Sequence, residues 1–403
     1  MTEALSTTCC IAGGGPAGMM LGFLLARAGI DVVVVEKHAD FLRDFRGDTV
    51  HPSTLQVMYE LGLLDALLKR PHQEVVQGAA EFGETRITLA DFLHLPTRCK
   101  FVAFMPQWEF LDFLAGQGRA LPSFHLLMET EVHDLAREDG RIAGVRARGP
   151  QGDVEIRAPL TVGCDGRHSV VRQRAGLDIR EFGAPIDVLW LRIPRREDDE
   201  HQVLGRVEPG RFFIMLDRGD YWQCAFVIPK GGFDAIRARG IDAFRQDVAR
   251  LARAEPERVA GIASWDDVKL LTVKVDRLSR WHAPGLLCIG DAAHAMSPIG
   301  GVGINLAIQD AVAAANILAD PLRSGRVDQA TLHRVQQRRT FPTWATQRMQ
   351  ILIQNRLLAP VLAGRGPVRP PWLLSLANRY PILRQIPARI IGLGFRPEHV
   401  AIR

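Results

Sequence analysis

Gly13-Gly14-Gly15-Pro16-Ala17-Gly18, close to the N-terminus, has the residue types and spacing of a G-x-G-x-x-G turn. The chemistry such a turn serves is phosphate binding. Gly13 permits a tight turn, Gly15 lets the backbone approach a pyrophosphate, and Gly18 allows the following helix to pack closely. Pro16 and Ala17 open that helix, where free N–H groups and partial positive charge favour an anion. Glu36 stands 23 residues beyond Gly13, with Lys37 beside it. An acid at that separation can accept hydrogen bonds from a ribose diol. The elements that must position these residues are legible around them. Thr8 to Ala12 reads as a short buried strand, an apolar helix runs to about Ala28, and Asp31 to Val35 reads as a second strand ending at Glu36. Gly22 extends the packing seam, and dinucleotide binding is the expectation.

A second group of residues lies far along the chain. Leu286 to Ile289 is another apolar run, leading into Gly290-Asp291-Ala292-Ala293-His294, then Pro298, Gly301, Gly303, Ile304, Asn305 and Asp310-Ala311. A helix beginning near Gly303 would aim its free N–H groups at whatever lies before it, and His294 in such a turn reads as structural. Between the two groups, a strand from Leu160 precedes Cys164-Asp165-Gly166-Arg167. Ser169 can cap the next helix, and Arg167 and Arg172 carry charge suited to a phosphate.

Together these segments resemble the G-D-A-A-H … P … G-x-G-x-N … D-A and D-G signatures of the class A flavoprotein monooxygenases, the p-hydroxybenzoate hydroxylase-like family. Cys164 stands where that family usually has Ala, and the matches run from residue 8 to about 311. The resemblance implies bound FAD, with Asp291 on its ribityl chain and the helix at Gly303 facing flavin N1 and the C2 carbonyl, where negative charge collects on reduction. It implies cofactor contacts also for Asp165, for Arg46 ahead of a helix from about Ser53 to Leu61, and for Gln107 at the start of a later helix. No second complete glycine fingerprint is present, so NADH or NADPH is expected to bind transiently. The implied reaction inserts one atom of O2 into an aromatic or other electron-rich, lipophilic small molecule through a flavin C4a-hydroperoxide. The flavin carries that chemistry, and no catalytic side chain is assigned. The three tyrosines, Tyr59, Tyr221 and Tyr380, do not match the paired tyrosines of p-hydroxybenzoate hydroxylase. Three alternatives stay open: an FAD-dependent reductase of polyprenyl chains, a flavin-dependent halogenase, and a non-enzymatic relative that binds prenyl groups or a partner. The halogenase motif W-x-W-x-I-P is only half echoed by Trp190-Leu191-Arg192-Ile193-Pro194.

The fold class expected is α/β: a Rossmann-like FAD-binding domain of glutathione reductase type, an inserted and mainly antiparallel β-sheet substrate domain, and a C-terminal helical region. The FAD-binding domain is assigned residues 1–75, 100–178 and 265–340, the substrate domain 76–99 and 179–264, and the helical cap 341–403. Val188 to Ile193, Arg211 to Asp217 and Tyr221 to Ile228 read as antiparallel neighbours separated by Glu208-Pro209-Gly210 and Arg218-Gly219-Asp220. Alternation places Trp222, Cys224, Phe226 and Ile228 on one face and Tyr221, Gln223, Ala225 and Val227 on the other. Either face could roof the substrate, so Tyr221, Trp222, Phe213 and Met215 are pocket candidates.

Composition bounds the rest. The 403 residues are 47% hydrophobic and 24% charged, which suits a large globular chain and excludes disorder or a disulfide scaffold. Six cysteines lie scattered without C-x-x-C spacing, and no H-E-x-x-H or G-x-S-x-G segment is present, so metal and hydrolase chemistry lack their parts. The first residues contain an acid and no Lys or Arg, unlike a signal peptide. No window holds the ~18 uninterrupted apolar residues of a spanning helix. A reducing, cytoplasmic setting is expected. Charge is uneven: residues 341–403 contain nine Arg, no Lys and one acid, Glu398, while the whole chain is only +5. Prolines 360, 367, 370, 371, 381 and 387 break this tail into short amphipathic helices. They would cap the active site or touch an anionic membrane surface. Nucleic acid is not an expected partner, because the basic residues alternate with Leu and Ile and no reading motif accompanies them.

Overall fold

The computed structural model describes residues 3–42, 49–199, 204–364 and 370–402. At its centre is a six-stranded sheet in the order His282–Ala283, Leu286–Cys288, Leu160–Gly163, Cys9–Ala12, Val32–Val35, Phe124–Leu127. Neighbours run parallel except for the edge hairpin formed by the first two. Cys9-Cys10-Ile11-Ala12 and the four valines 32–35 are buried along their whole length, as parallel strands covered on both faces require. Helix Pro16–Arg27 packs on this sheet and against helix Gly303–Arg323. Gly22 lets it come close, since a Cβ there would lie 2.6 Å from Val34 Cγ2. The segment Ile299–Arg323 is apolar and long enough to cross a bilayer, yet 78% of its most apolar window is buried inside the protein. It is the core helix of this layer. All six cysteines are unpaired and buried, and burial pushes the Cys10 thiol up to about 12, which makes it a packing group.

A seven-stranded sheet has the order Lys269–Leu271, Ile186–Pro194, Tyr221–Pro229, Arg211–Asp217, Leu204–Glu208, Gln77–Phe82, Thr85–Asp91. Its pairs are antiparallel except Leu204–Glu208 with Gln77–Phe82. One face packs beneath helix Ile241–Ala252, where Phe213, Met215, Trp222, Cys224, Phe226 and Ile228 meet Phe244, Val248 and Leu251. The other presents Val188, Trp190, Phe212, Ile214, Ala225 and Val227 towards Ile299, Leu357 and Leu358.

Two elements cross the boundaries assigned from sequence. Lys269–Leu271, given to the FAD-binding domain, pairs instead with Ile186–Pro194 at the edge of the large sheet. Helix Gln329–Ile353 passes through the 340/341 boundary with Pro342 inside it, and continues as a π-helical turn, Gln354–Leu358. Its inner face outweighs the proline: Gln347 Nε2 donates to the carbonyls of Asp276 (2.7 Å) and Ala295 (3.1 Å), and Gln350 Nε2 to those of Ser297 and Ile299 (both 2.9 Å).

Candidate cofactor and substrate site

Four neighbouring strands deliver the sequence motifs to one edge of the parallel sheet. Ala12 pairs with Val35 and with Gly163, and Gly163 pairs with Cys288. The glycine turn at 13–18, Glu36, the Asp165-Gly166 turn and the Gly290-Asp291 turn therefore all leave the carboxyl ends of adjacent parallel strands, the edge at which open α/β sheets bind ligands. Main-chain bonds hold these exits side by side: Gly13 N donates to Val35 O (2.8 Å), Cys164 N to Ala12 O (2.7 Å) and Ile289 N to Gly163 O (3.1 Å).

The glycines do different work. Gly13 has φ +107, and a Cβ on it would lie 2.4 Å from the Cys164 carbonyl oxygen; on Gly18 it would lie 2.0 Å from Gly13 O. Both are glycine because backbone fills the space. Gly15 is extended (φ −76, ψ −175) and a Cβ there meets nothing within 4 Å, so it borders an open cradle. A Cβ on Gly290 would sit 3.0 Å from Ala17 Cβ and 3.4 Å from Ala307 Cβ, which brings the first turn, the third turn and helix Gly303–Arg323 to one point. Helices Pro16–Arg27 and Gly303–Arg323 both begin without a side-chain cap and without an acid in the first turn. Two uncapped positive ends converging at one edge suit an anionic, electron-accepting ligand. Gly303 and Ile304 are partly exposed there, and Pro298 starts the single turn Ile299–Gly301 in front of them. Buried Glu36 holds the cradle's other end, accepting from Gly14 N (3.0 Å) and His38 N (3.1 Å). Asp291 is half-exposed with Arg167 Nη2 3.9 Å from its Oδ2. Gln107, buried, opens helix Gln107–Arg119. An open cradle, a carboxylate beside it and two free helix N-termini fit FAD.

Several expected site residues are used differently. Asp165 caps its own helix, accepting from Ser169 Oγ (2.5 Å) and Val171 N (3.0 Å). Asn305 is a clamp: its Oδ1 accepts from His51 N and Thr54 Oγ1 (both 2.8 Å), and its Nδ2 donates to Thr49 O (3.0 Å). Lys37 points to the surface, 3.8 Å from Glu131. Arg172 is buried and donates to the carbonyls of Ala292 and Arg167, so it braces the Asp291 turn. Phe213, Met215 and Trp222 lie under helix Ile241–Ala252, on the sheet face turned away from Ile299, and are core. Tyr221 lies at the strand end with the Arg192 guanidinium 4.8 Å from its ring centroid. Arg46 falls outside the described residues.

Other residues carry more than their spacing suggests. His294 is fully buried with Nε2 2.6 Å from Asp310 Oδ2, in keeping with a structural role. Asp310 also accepts from Gly290 N (3.0 Å) and Arg339 Nε (2.8 Å), and Arg339 reaches Glu398 (3.1 Å). Trp190 and Gln223 lie on the sheet face opposite the Phe213 core, and their Nε1 and Nε2 are buried donors without a partner among the described residues. No pattern in the sequence marks Arg339, Glu398 or Gln223, because each acts on a segment remote in the chain.

His51 joins the site to the tail. Its Nδ1 lies 2.7 Å from Ile391 O, and a carbonyl only accepts, so Nδ1 carries the proton. Burial, opposed by that bond, lowers the imidazole to about 4. The unfolded chain, with an ordinary histidine near 6.5, takes up the proton first. The contribution of His51 is therefore complete above about pH 6.5 and lost as pH falls towards 4, on the order of 3 kcal/mol in all. Melting temperature measured across that interval should fall less steeply in His51→Gln than in the wild type; equal slopes would count against this assignment.

The comparisons with known proteins fit this geometry. The family profile described as FAD binding domain matches residues 6–349. The 6-methylpretetramide 4-monooxygenase of Streptomyces rimosus is 33% identical over 396 residues, covering 96% of this chain and 93% of the relative. Rifampicin monooxygenase of Streptomyces venezuelae is 28% identical across 75% of this chain, which spans 61% of that longer protein. Among solved structures, p-nitrophenol 4-monooxygenase PnpA of Pseudomonas putida shares the fold with a TM-score of 0.78 at 19% identity, covering 98% of this chain and 100% of PnpA.

Proposed function

The chain belongs to the class A FAD-dependent monooxygenase family, and from that premise we propose that it hydroxylates a lipophilic aromatic molecule, with NAD(P)H as reductant and O2 as oxygen donor. Bound FAD supplies the redox chemistry. The protein's part is to hold, orient and shield. Backbone at Gly15 and the N-terminus of helix Pro16–Arg27 take the pyrophosphate, Glu36 the ribose, and Asp291 and the N-terminus of helix Gly303–Arg323 the flavin half. Val188, Trp190, Phe212, Ile214, Ala225 and Val227 form an apolar wall opposite Ile299, which keeps water from the reacting centre and suits aromatic faces. The observation that carries the reading is the delivery of four motifs to one edge of the parallel sheet. The relative of full-length similarity acts, by its name, on 6-methylpretetramide, and we take an aromatic substrate bearing oxygen acceptors for this chain. The six unpaired cysteines accord with a cytoplasmic setting.

The test is the visible spectrum of the purified protein, then NADH and NADPH oxidation and oxygen uptake with phenols, quinolones and polycyclic aromatics. Flavin absorbance and aromatic-stimulated oxygen consumption are expected; a protein that neither carries nor binds FAD ends the proposal.

The orphaned donors on the wall refine it. A buried N–H without a partner costs about 1–3 kcal/mol, and a substrate carbonyl or phenolic oxygen would relieve that cost. Trp190→Phe keeps an aromatic ring in place and removes the donor together with part of the indole's packing. It should raise KM about fivefold to tenfold for an oxygen-bearing aromatic, while lost packing and the relieved donor leave the melting temperature little changed. A higher melting temperature with unchanged KM would mean that this donor meets no substrate.

A further inference from the structure

Between Asp328 and Glu398 the chain contains eleven Arg and no Asp, Glu or Lys. Helices Trp372–Arg379 and Gln385–Gly392 belong to this stretch and lie over strand Thr85–Asp91. Each buries one side, through Ala377 on the first and Ala388 and Gly392 on the second. The outward side is apolar as well: Trp372 is 72% exposed and Ile382, in the turn between the helices, 70%, with Leu376, Tyr380 and Ile386 also outward. Scattered exposed apolar residues need no explanation, but five within residues 372–386 form a patch. Arg379 and Arg389 are exposed on the same helices, and the Arg379 guanidinium lies 5.9 Å from the Tyr380 ring centroid. Arg384 turns back to the carbonyls of Ala377 (3.1 Å) and Asn378 (2.8 Å), tying the two helices together.

We propose that this helix pair docks in the plane of an anionic lipid surface. Trp372, Leu376, Ile382 and Ile386 enter the acyl boundary, Tyr380 sits at headgroup level, and Arg379 and Arg389 meet the lipid phosphates. Eight-residue helices are too short to span a bilayer and suit an interfacial position. A second copy of the chain is a poor occupant, because a two-fold contact would set arginine against arginine with no acid in the stretch to pair them. An acidic protein would satisfy the arginines yet leave the need to bury so much aliphatic and indole surface unexplained. Aromatic rings beside guanidinium groups on an apolar face are the pattern of a membrane interface.

The experiment uses the full-length protein in flotation with phosphatidylcholine vesicles, with and without phosphatidylglycerol. Binding should require phosphatidylglycerol and weaken as salt is added. Arg379→Gln with Arg389→Gln should weaken it roughly 25-fold, about fivefold for each charge. Trp372→Ser with Ile382→Ser and Ile386→Ser should abolish it. All these side chains are exposed, so flavin content and melting temperature should not change in either variant, which separates lost docking from lost fold. Absence of binding, equal binding to neutral and anionic vesicles, or persistence in the apolar variant overturns the proposal. So does polyglutamate binding that the apolar variant retains while vesicles do not bind, which would identify an acidic protein partner, or a dimer that the apolar variant loses without any vesicle binding.

Discussion

Gly15→Val should leave the apoprotein as stable as the wild type and lower its FAD affinity about 100-fold or more, a loss near 3 kcal/mol. The added side chain enters open space, since a Cβ at Gly15 meets no atom within 4 Å, and φ −76 with ψ −175 is an ordinary conformation for valine. What it fills is the approach of a pyrophosphate to the backbone. Gly18→Ala is the informative contrast. There a Cβ falls 2.0 Å from Gly13 O, inside the protein, so folding and FAD binding should fail together. Thermal melting of the apoproteins and flavin-fluorescence titration separate the two cases. A Gly15→Val protein that binds FAD normally would place the pyrophosphate elsewhere.

Arg339→Met should destabilise the protein by about 3–5 kcal/mol, because it strands buried charge. Arg339, Asp310, His294 and Glu398 are all buried, and Arg338 holds Glu398 from the other side through Nε (2.8 Å) and Nη2 (2.9 Å). The network runs from the C-terminal segment to Gly290 N, one residue before Asp291. Its loss should therefore also weaken FAD binding. Adding Asp310→Asn removes part of the stranded charge and should recover part of the stability, which a cavity at Arg339 alone would not allow. Denaturation midpoints and FAD titration of the single and double variants test this, and a loss below about 1 kcal/mol would show the network to be dispensable. The same site predicts acid sensitivity. Burial raises the Asp310 carboxyl, but His294 and Arg339 outweigh it and hold the group below its ordinary value. As pH falls the unfolded chain binds the proton first, so the contribution is complete above about pH 4 and disappears below it.

The turns at the carboxyl edge of the parallel sheet were readable because their determinants are local. A glycine turn, the strand before it and the helix after it occupy about twenty consecutive residues, and each glycine answers a constraint set by its immediate neighbours. Glu36, Asp291 and the helix start at Gly303 follow from the same kind of local order. For the side chains engaged elsewhere there is a common cause. Asp165 and Asn305 were expected at the cofactor, yet one carboxylate caps its own helix and the other side chain clamps residues 49–54, a choice made by partners that spacing does not name.

The sorting of the large sheet's two faces was out of reach for a related reason. Alternation along Tyr221–Pro229 sorts residues onto two faces but is symmetric between them. Only the packing of helix Ile241–Ala252 on one face assigns Phe213, Met215 and Trp222 to the core and turns Trp190, Gln223 and Ala225 towards Ile299. The buried Asp310, Arg339 and Glu398 network likewise exists only once the tail has folded back over helix Gly303–Arg323. By itself, then, the sequence determined the cofactor, the α/β class and the family. The tertiary structure decided which sheet face packs beneath helix Ile241–Ala252 and which charges are buried, because those outcomes depend on contacts between segments that share no sequence neighbourhood.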